Sequence, residues 1–115
     1  MAESAVERVF ARSEPHVRAL VQILIERVQS LPGVAVDPKG TCLHLNHRTA
    51  FAGLHPRRSA LLLNLRSRLP IESPRIRKVE RVSANRCHNE MLVETVGAID
   101  DELMGWIAEA HALAA

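Results

Sequence analysis

Residues 41–66 read TCLHLNHRTAFAGLHPRRSALLLNLR, and this stretch decides the fold. From Thr41 to Asn46 apolar and polar residues alternate. That period places Leu43 and Leu45 on one face of a strand and Cys42, His44 and Asn46 on the other. Asn46-His47-Arg48-Thr49 then supplies a hairpin turn, although it lacks the usual Gly. Ala50 to His55 is the next predicted strand, and His55-Pro56-Arg57-Arg58-Ser59 is a polar connection. Ala60 to Arg66 follows, with Leu61, Leu63 and Leu65 opposite Leu62, Asn64 and Arg66. Three short strands joined by short links predict an antiparallel meander.

The flanks read differently. Upstream, Val6, Val9 and Phe10 form a short apolar stripe. Val17, Leu20, Val21, Leu24, Val28 and Leu31 then recur at three- and four-residue spacing, which predicts a helix. Ser13 is the expected N-cap, Pro15 fits a first turn, and Pro32-Gly33 ends the helix. Val34-Ala35-Val36 is a short predicted strand closed by Asp37-Pro38-Lys39-Gly40. Downstream, Ser73-Pro74 predicts one or two helical turns reaching Lys78, and Cys87 to Thr95 is a further strand candidate. Asp100, Asp101 and Glu102 suit the positive end of a last helix, whose apolar stripe is Ile99, Leu103, Trp106, Ile107, Ala110 and Leu113.

The expected architecture is α+β, a single domain over residues 1–115. Residues 1–32 are helical, 34–95 form a mostly antiparallel sheet of about four or five strands with a helical turn near 73–78, and 99–114 form the final helix. The two terminal helical parts cover one sheet face, and the basic side chains lie on the other face or an edge.

With 115 residues and 47% hydrophobic content, the chain is long and apolar enough for one packed core. Aromatics make up only 3%, so aliphatic side chains must fill that core. Phe10, Phe51 and Trp106 all fall at core positions, which argues against base stacking as a binding mode. No run approaches the roughly 20 apolar residues that span a bilayer, and Met1 to Arg12 lacks the continuous apolar stretch of a signal peptide. A cytoplasmic location with Cys42 and Cys87 reduced is therefore expected.

The net charge of +2 conceals a strong segregation. From Lys39 to Arg86 there are 11 basic and 2 acidic residues, whereas Cys87 to Ala115 holds 6 acids and no Lys or Arg. Most of the basic residues are Arg, whose planar fork suits bidentate contact with phosphate or carboxylate. The leading expectation is a non-catalytic binding domain for an anionic ligand, either nucleic acid or a phosphorylated small molecule. Its candidate site residues are Arg57, Arg58, Arg66, Arg75, Arg77 and His88. A rival reading pairs these arginines with the acidic final helix of the same chain. A second function class is a protein-interaction or homodimerising module joined through Leu62 or Leu54. A third is a small enzyme in which Cys42 with His88, or Cys87 with His44, acts as nucleophile and base.

No cofactor or metal is expected. The glycines form neither a P-loop nor a dinucleotide fingerprint, no Ser has a G-x-S-x-G context, and neither CxxC nor HExxH occurs.

The order of several loose motifs carries a resemblance. Thr41-Cys42-Leu43-His44-Leu45 is followed by Phe51-Ala52-Gly53-Leu54-His55-Pro56-Arg57-Arg58 and Leu61-Leu62-Leu63-Asn64-Leu65. Then come Pro74-Arg75-Ile76, Val79-Glu80-Arg81-Val82-Ser83, His88, Asp100-Asp101-Glu102-Leu103, Trp106-Ile107 and Ala110-His111. This series resembles the bacterial family called domain of unknown function 5655, over most of the chain. The resemblance implies the fold and no established activity. The family usually has Tyr where this chain has Cys42, and an Ala-Tyr pair where it has Ala110-His111.

Overall fold

A computed structural model describes residues 5–115; residues 1–4 of the expected helical N-terminal part lie outside the described residues. Helix α1 (Ala5–Val9) and helix α2 (Pro15–Val28) come first, followed by strands β1 (Ala35–Lys39), β2 (Cys42–Asn46), β3 (Ala50–Pro56) and β4 (Leu61–Ser67). Strands β5 (Lys78–Ser83) and β6 (Arg86–Val93) precede a short 3-10 turn at Val96–Ala98 and helix α3 (Asp101–Leu113). The fold is α+β, with one antiparallel sheet of six strands in the order β1-β2-β3-β4-β6-β5.

The core lies between one sheet face and the helices. Leu43, Leu45, Leu54, Leu61, Leu63, Leu65, Met91 and Val93 are all buried there, together with Leu20, Val21, Leu24 and Val28 of α2 and Leu103, Ile107 and Ala110 of α3. Each fully buried leucine contributes about 1.5–3 kcal/mol by leaving water. Helices α2 and α3 both pack on the central strands β3 and β4, which leaves the opposite sheet face without a covering layer. No helix among the described residues is long and apolar enough to cross a membrane.

A β-bulge adjusts the inward pattern of β3. The pairing shifts between Leu45 opposite Ala52 and Asn46 opposite Ala50, so Phe51 is the extra residue. Both Phe51 and Ala52 consequently turn inward and are buried. Phe51 meets the His111 ring edge-on, and His111 stacks on His47 at 3.9 Å while its Nε2 donates to the Pro32 carbonyl at 2.7 Å.

Several local expectations are corrected. The sheet has one strand more than expected, because β5 is exposed along its whole length and shows no apolar period to read. Ser73–Lys78 does not form a helix. Ser73 makes a single turn, its carbonyl accepting from Ile76 N at 3.1 Å and its Oγ from Arg75 N at 3.2 Å, and Arg77 N then donates to the Glu90 carbonyl at 2.8 Å. The N-cap of α2 is Glu14, without a side-chain cap, because the Ser13 hydroxyl donates instead to the Arg57 carbonyl at 2.8 Å. Strand β1 continues through Pro38, which an edge strand tolerates, and the turn falls at Gly40 with φ +59°. Asp100 caps α3 as its acidic start implies, accepting from Leu103 N at 3.0 Å.

Candidate functional site

The uncovered face is organised in cross-strand rows. His44 on β2 stands opposite Gly53 on β3, Gly53 opposite Asn64 on β4, and Asn64 opposite Glu90 on β6. In the next row Arg66 on β4 faces His88 on β6, and His88 faces Glu80 on β5. Gly53 contributes no side chain, so the sheet carries a hollow of about 200 Å3 above it. His44, His55, Asn64, Arg66, Arg86 and His88 form its walls. A Cβ added at Gly53 would lie 3.1 Å from His55 Nε2 and 3.8 Å from Asn64 Cβ. The glycine therefore makes the floor.

The polar groups around this floor are unevenly satisfied. Arg66 Nη1 donates to Thr49 Oγ1 at 3.1 Å. Its Nε is buried and has no hydrogen-bond partner among the described residues. Burial and the nearby Arg86 charge both push the Arg66 pKa down from its usual value. Arg86 Nε donates to His88 Nε2 at 3.2 Å, which makes His88 an acceptor and hence a neutral ring carrying its proton on Nδ1. Burial holds His88 below the ordinary imidazole pKa, with Arg86 and Arg66 acting in the same direction and Glu80 opposing them. His55 is lowered too, first by burial, then by Arg57 and His44, against Glu90.

The six candidate residues do not converge on one place. Arg66 and His88 meet at the hollow. Arg57 and Arg58 stand on the β3–β4 connection beside a separate groove. Arg77 lies at the sheet margin with its Nε 3.7 Å from Glu90 Oε1. Arg75 is on the helix side, where Asp100, Glu102 and the Ala98 carbonyl hold it and its guanidinium lies 5.6 Å from the Trp106 ring centroid. The acidic final helix thus takes one of the expected arginines, not the whole set. His44, Gly53, His55, Asn64 and Arg86 also line the hollow and were not among these six. Strand alternation places each on the polar side, but only the cross-strand register brings them together.

The alternative pairings are also located. Leu54 is fully buried in the core, and Leu62, though on the open face, is only 8% exposed, so neither offers an apolar patch for joining two copies. Cys87 points into the core while His44 lies on the open face, which separates that pair. Cys42 and His88 are on β2 and β6, three strand spacings or roughly 14 Å apart across the sheet. Burial raises the Cys42 thiol pKa, which disfavours the reactive thiolate. No group of three or more His, Cys, Asp or Glu among the described residues is placed to hold a metal ion. Two guanidiniums, three imidazoles and the Asn64 amide thus border the hollow. No thiol, hydroxyl or carboxylate side chain lines it.

Over residues 6–114 the chain matches the family described as Domain of unknown function (DUF5655), and it belongs to that family. No curated protein and no solved structure matches it.

Proposed function

We propose that this family member is a non-catalytic binding domain whose open sheet face takes a small phosphorylated molecule, with the phosphoryl group seated over Gly53 between Arg66 and Arg86. One observation carries the reading: Arg66 Nε is buried without an acceptor, beside a second guanidinium, and no ion pair joins either arginine to a carboxylate among the described residues. An unpaired buried donor costs about 1–3 kcal/mol, and an anion that draws the Arg66 guanidinium toward the hollow lets this donor reach an acceptor. Arginine forks favour phosphate for the same geometric reason. A hollow of about 200 Å3 matches a compact anionic group better than a stacked base. His88 acts on the ligand through Arg86, which it orients. Free Cys42 and Cys87 fit a reducing cytoplasmic setting, where phosphorylated metabolites occur.

The test is thermal unfolding in millimolar phosphate or sulfate against chloride at equal ionic strength. Wild type should be stabilised by the divalent anions, and Arg66→Ala and Arg86→Ala should each lose that stabilisation. An equal response of wild type and both variants refutes the reading.

A further inference from the structure

A second concentration of positive charge lies outside the hollow, where the α1–α2 connection meets the β3–β4 connection. Arg8, Arg12, Arg57 and Arg58 line an open groove of about 980 Å3 there. All four side chains belong to exposed residues, and no ion pair involves any of them among the described residues. The acid beside them, Glu14, has its Oε2 3.3 Å from His16 Nδ1, and Glu7 is engaged by Arg18.

The platform beneath these arginines is fastened across more than forty residues of sequence. Glu14 N donates to the Arg58 carbonyl at 2.8 Å, and Ser13 Oγ to the Arg57 carbonyl at 2.8 Å. His16 Nε2 donates to the Ser59 carbonyl at 2.8 Å, and Arg57 N to the Ala60 carbonyl at 2.8 Å. Backbone groups of both connections are thereby satisfied, and the guanidiniums are left facing solvent on a braced surface. Four like charges on one braced surface raise the local positive potential, which favours an anionic partner.

The composition of the groove narrows the anion. No aromatic ring lines it, so single strands find no stacking platform. Its apolar lining is limited to Val9, Ala11 and Pro56, and Val9 is buried, so a protein partner finds no anchor for a desolvated hot spot. A duplex backbone needs neither, because its affinity comes from phosphate neutralisation and counterion release. We propose that Arg8, Arg12, Arg57 and Arg58 form a sequence-independent binding surface for the phosphate backbone of double-stranded nucleic acid, separate from the Gly53 hollow.

The test is fluorescence anisotropy of a labelled 20-base-pair DNA duplex of random sequence, with the full chain, from 50 to 200 mM salt. Four phosphate contacts give a slope of log affinity on log salt of about −3.6. Replacing all four arginines by Gln should weaken binding at 50 mM salt at least tenfold and flatten the slope, while the same four changed to Lys should retain it. If the fourfold Gln variant does not fold, Arg12→Gln with Arg58→Gln should reduce the slope by about 1.8. Arg66→Ala with Arg86→Ala should leave duplex binding unchanged, so failure of the hollow and failure of the groove are read separately. The proposal is overturned by no duplex binding at 50 mM salt, by binding that survives loss of the four arginines, or by polyglutamate competing as well as unlabelled duplex.

Discussion

Arg75 and Asp100 are joined across the seam between the chain's basic middle and its acidic end: Arg75 Nη1 lies 3.0 Å from Asp100 Oδ1. The same nitrogen reaches Glu102 Oε1 at 3.0 Å, and Nη2 donates to the Ala98 carbonyl at 2.6 Å. Asp100 meanwhile caps α3 through Leu103 N. One guanidinium thus fastens the loop before β5 to the start of the last helix, and the Leu103 N cap, followed by the Arg75 contact, holds Asp100 below the usual carboxylate range.

Arg75→Ala is accordingly expected to destabilise the fold by about 1–2 kcal/mol, through loss of the Ala98 bond, the ion pairs and the packing over Trp106. Arg75→Met, which keeps the packing, should recover part of that loss. Urea unfolding measures both. Sulfate stabilisation should be the same in both variants as in wild type, because Arg75 is on the far side of the sheet from the hollow. A changed sulfate response would place Arg75 in the binding site.

Asn89 is a buried polar residue whose amide is hydrogen-bonded on both sides. It is fully buried, its Nδ2 donates to the Leu65 carbonyl at 3.0 Å and to Ser67 Oγ at 2.7 Å, and its Oδ1 accepts from Ile71 N at 3.0 Å. Asn89→Ala leaves the Ile71 amide and the Leu65 carbonyl short of a partner, so a loss of about 3 kcal/mol is expected. That is a large share of the roughly 5–15 kcal/mol that holds a domain together. Hydrogen exchange provides the site-specific check: the Ile71 amide should lose protection in the variant. Retained protection at Ile71 would contradict the assignment.

The order of these elements explains what was legible in the sequence. Leu43 and Leu45, or Leu61, Leu63 and Leu65, alternate strictly and end fully buried, because a sheet covered on one face writes its burial into a two-residue period. Strand β5 writes nothing, since Val79 and Val82 are 40% and 50% exposed and no described helix packs extensively on it. Missing β5 also hides that β6 inserts between β4 and β5. That insertion, a pairing of residues 22 apart, is what sets His88 against Arg66 and leaves Arg77 at the margin. Arg75 escaped for another reason: it lies in a loop, where neither period nor register says which side of the sheet a side chain takes.

Gly53→Ala probes the hollow from its floor. The backbone there is not in the left-handed region, so alanine adds no φ strain, and the cost is confined to crowding His55 Nε2 at 3.1 Å. Stability should change by less than about 1 kcal/mol. Sulfate stabilisation should fall markedly, and Gly53→Val should abolish it. Isothermal titration with sulfate alongside thermal unfolding separates the two effects. Undiminished sulfate binding in Gly53→Val would show that the anion does not sit over the floor.

Lowering the pH acts in opposite directions on the stability of the free domain and on its sulfate affinity. His88 and His55 have folded-state pKa values below the ordinary imidazole value, chiefly through burial. The folded state therefore takes up these protons less readily than the unfolded chain. The stability this contributes is present above the unfolded pKa of about 6.5 and is lost as pH falls through the folded values. Protonating His88 also removes the acceptor of the Arg86 Nε bond and adds a charge beside Arg66 and Arg86, with Glu80 opposing them. An anion over Gly53 reverses that penalty, so sulfate affinity should increase between pH 7.5 and 5.5 while the stability of the free domain declines. Sulfate does not titrate in this range, which assigns any slope to the protein. His88→Gln keeps an uncharged acceptor for Arg86 and should reduce the slope while leaving affinity at pH 7.5 near the wild-type value. A sulfate affinity independent of pH in wild type would remove His88 and His55 from the neighbourhood of the bound anion.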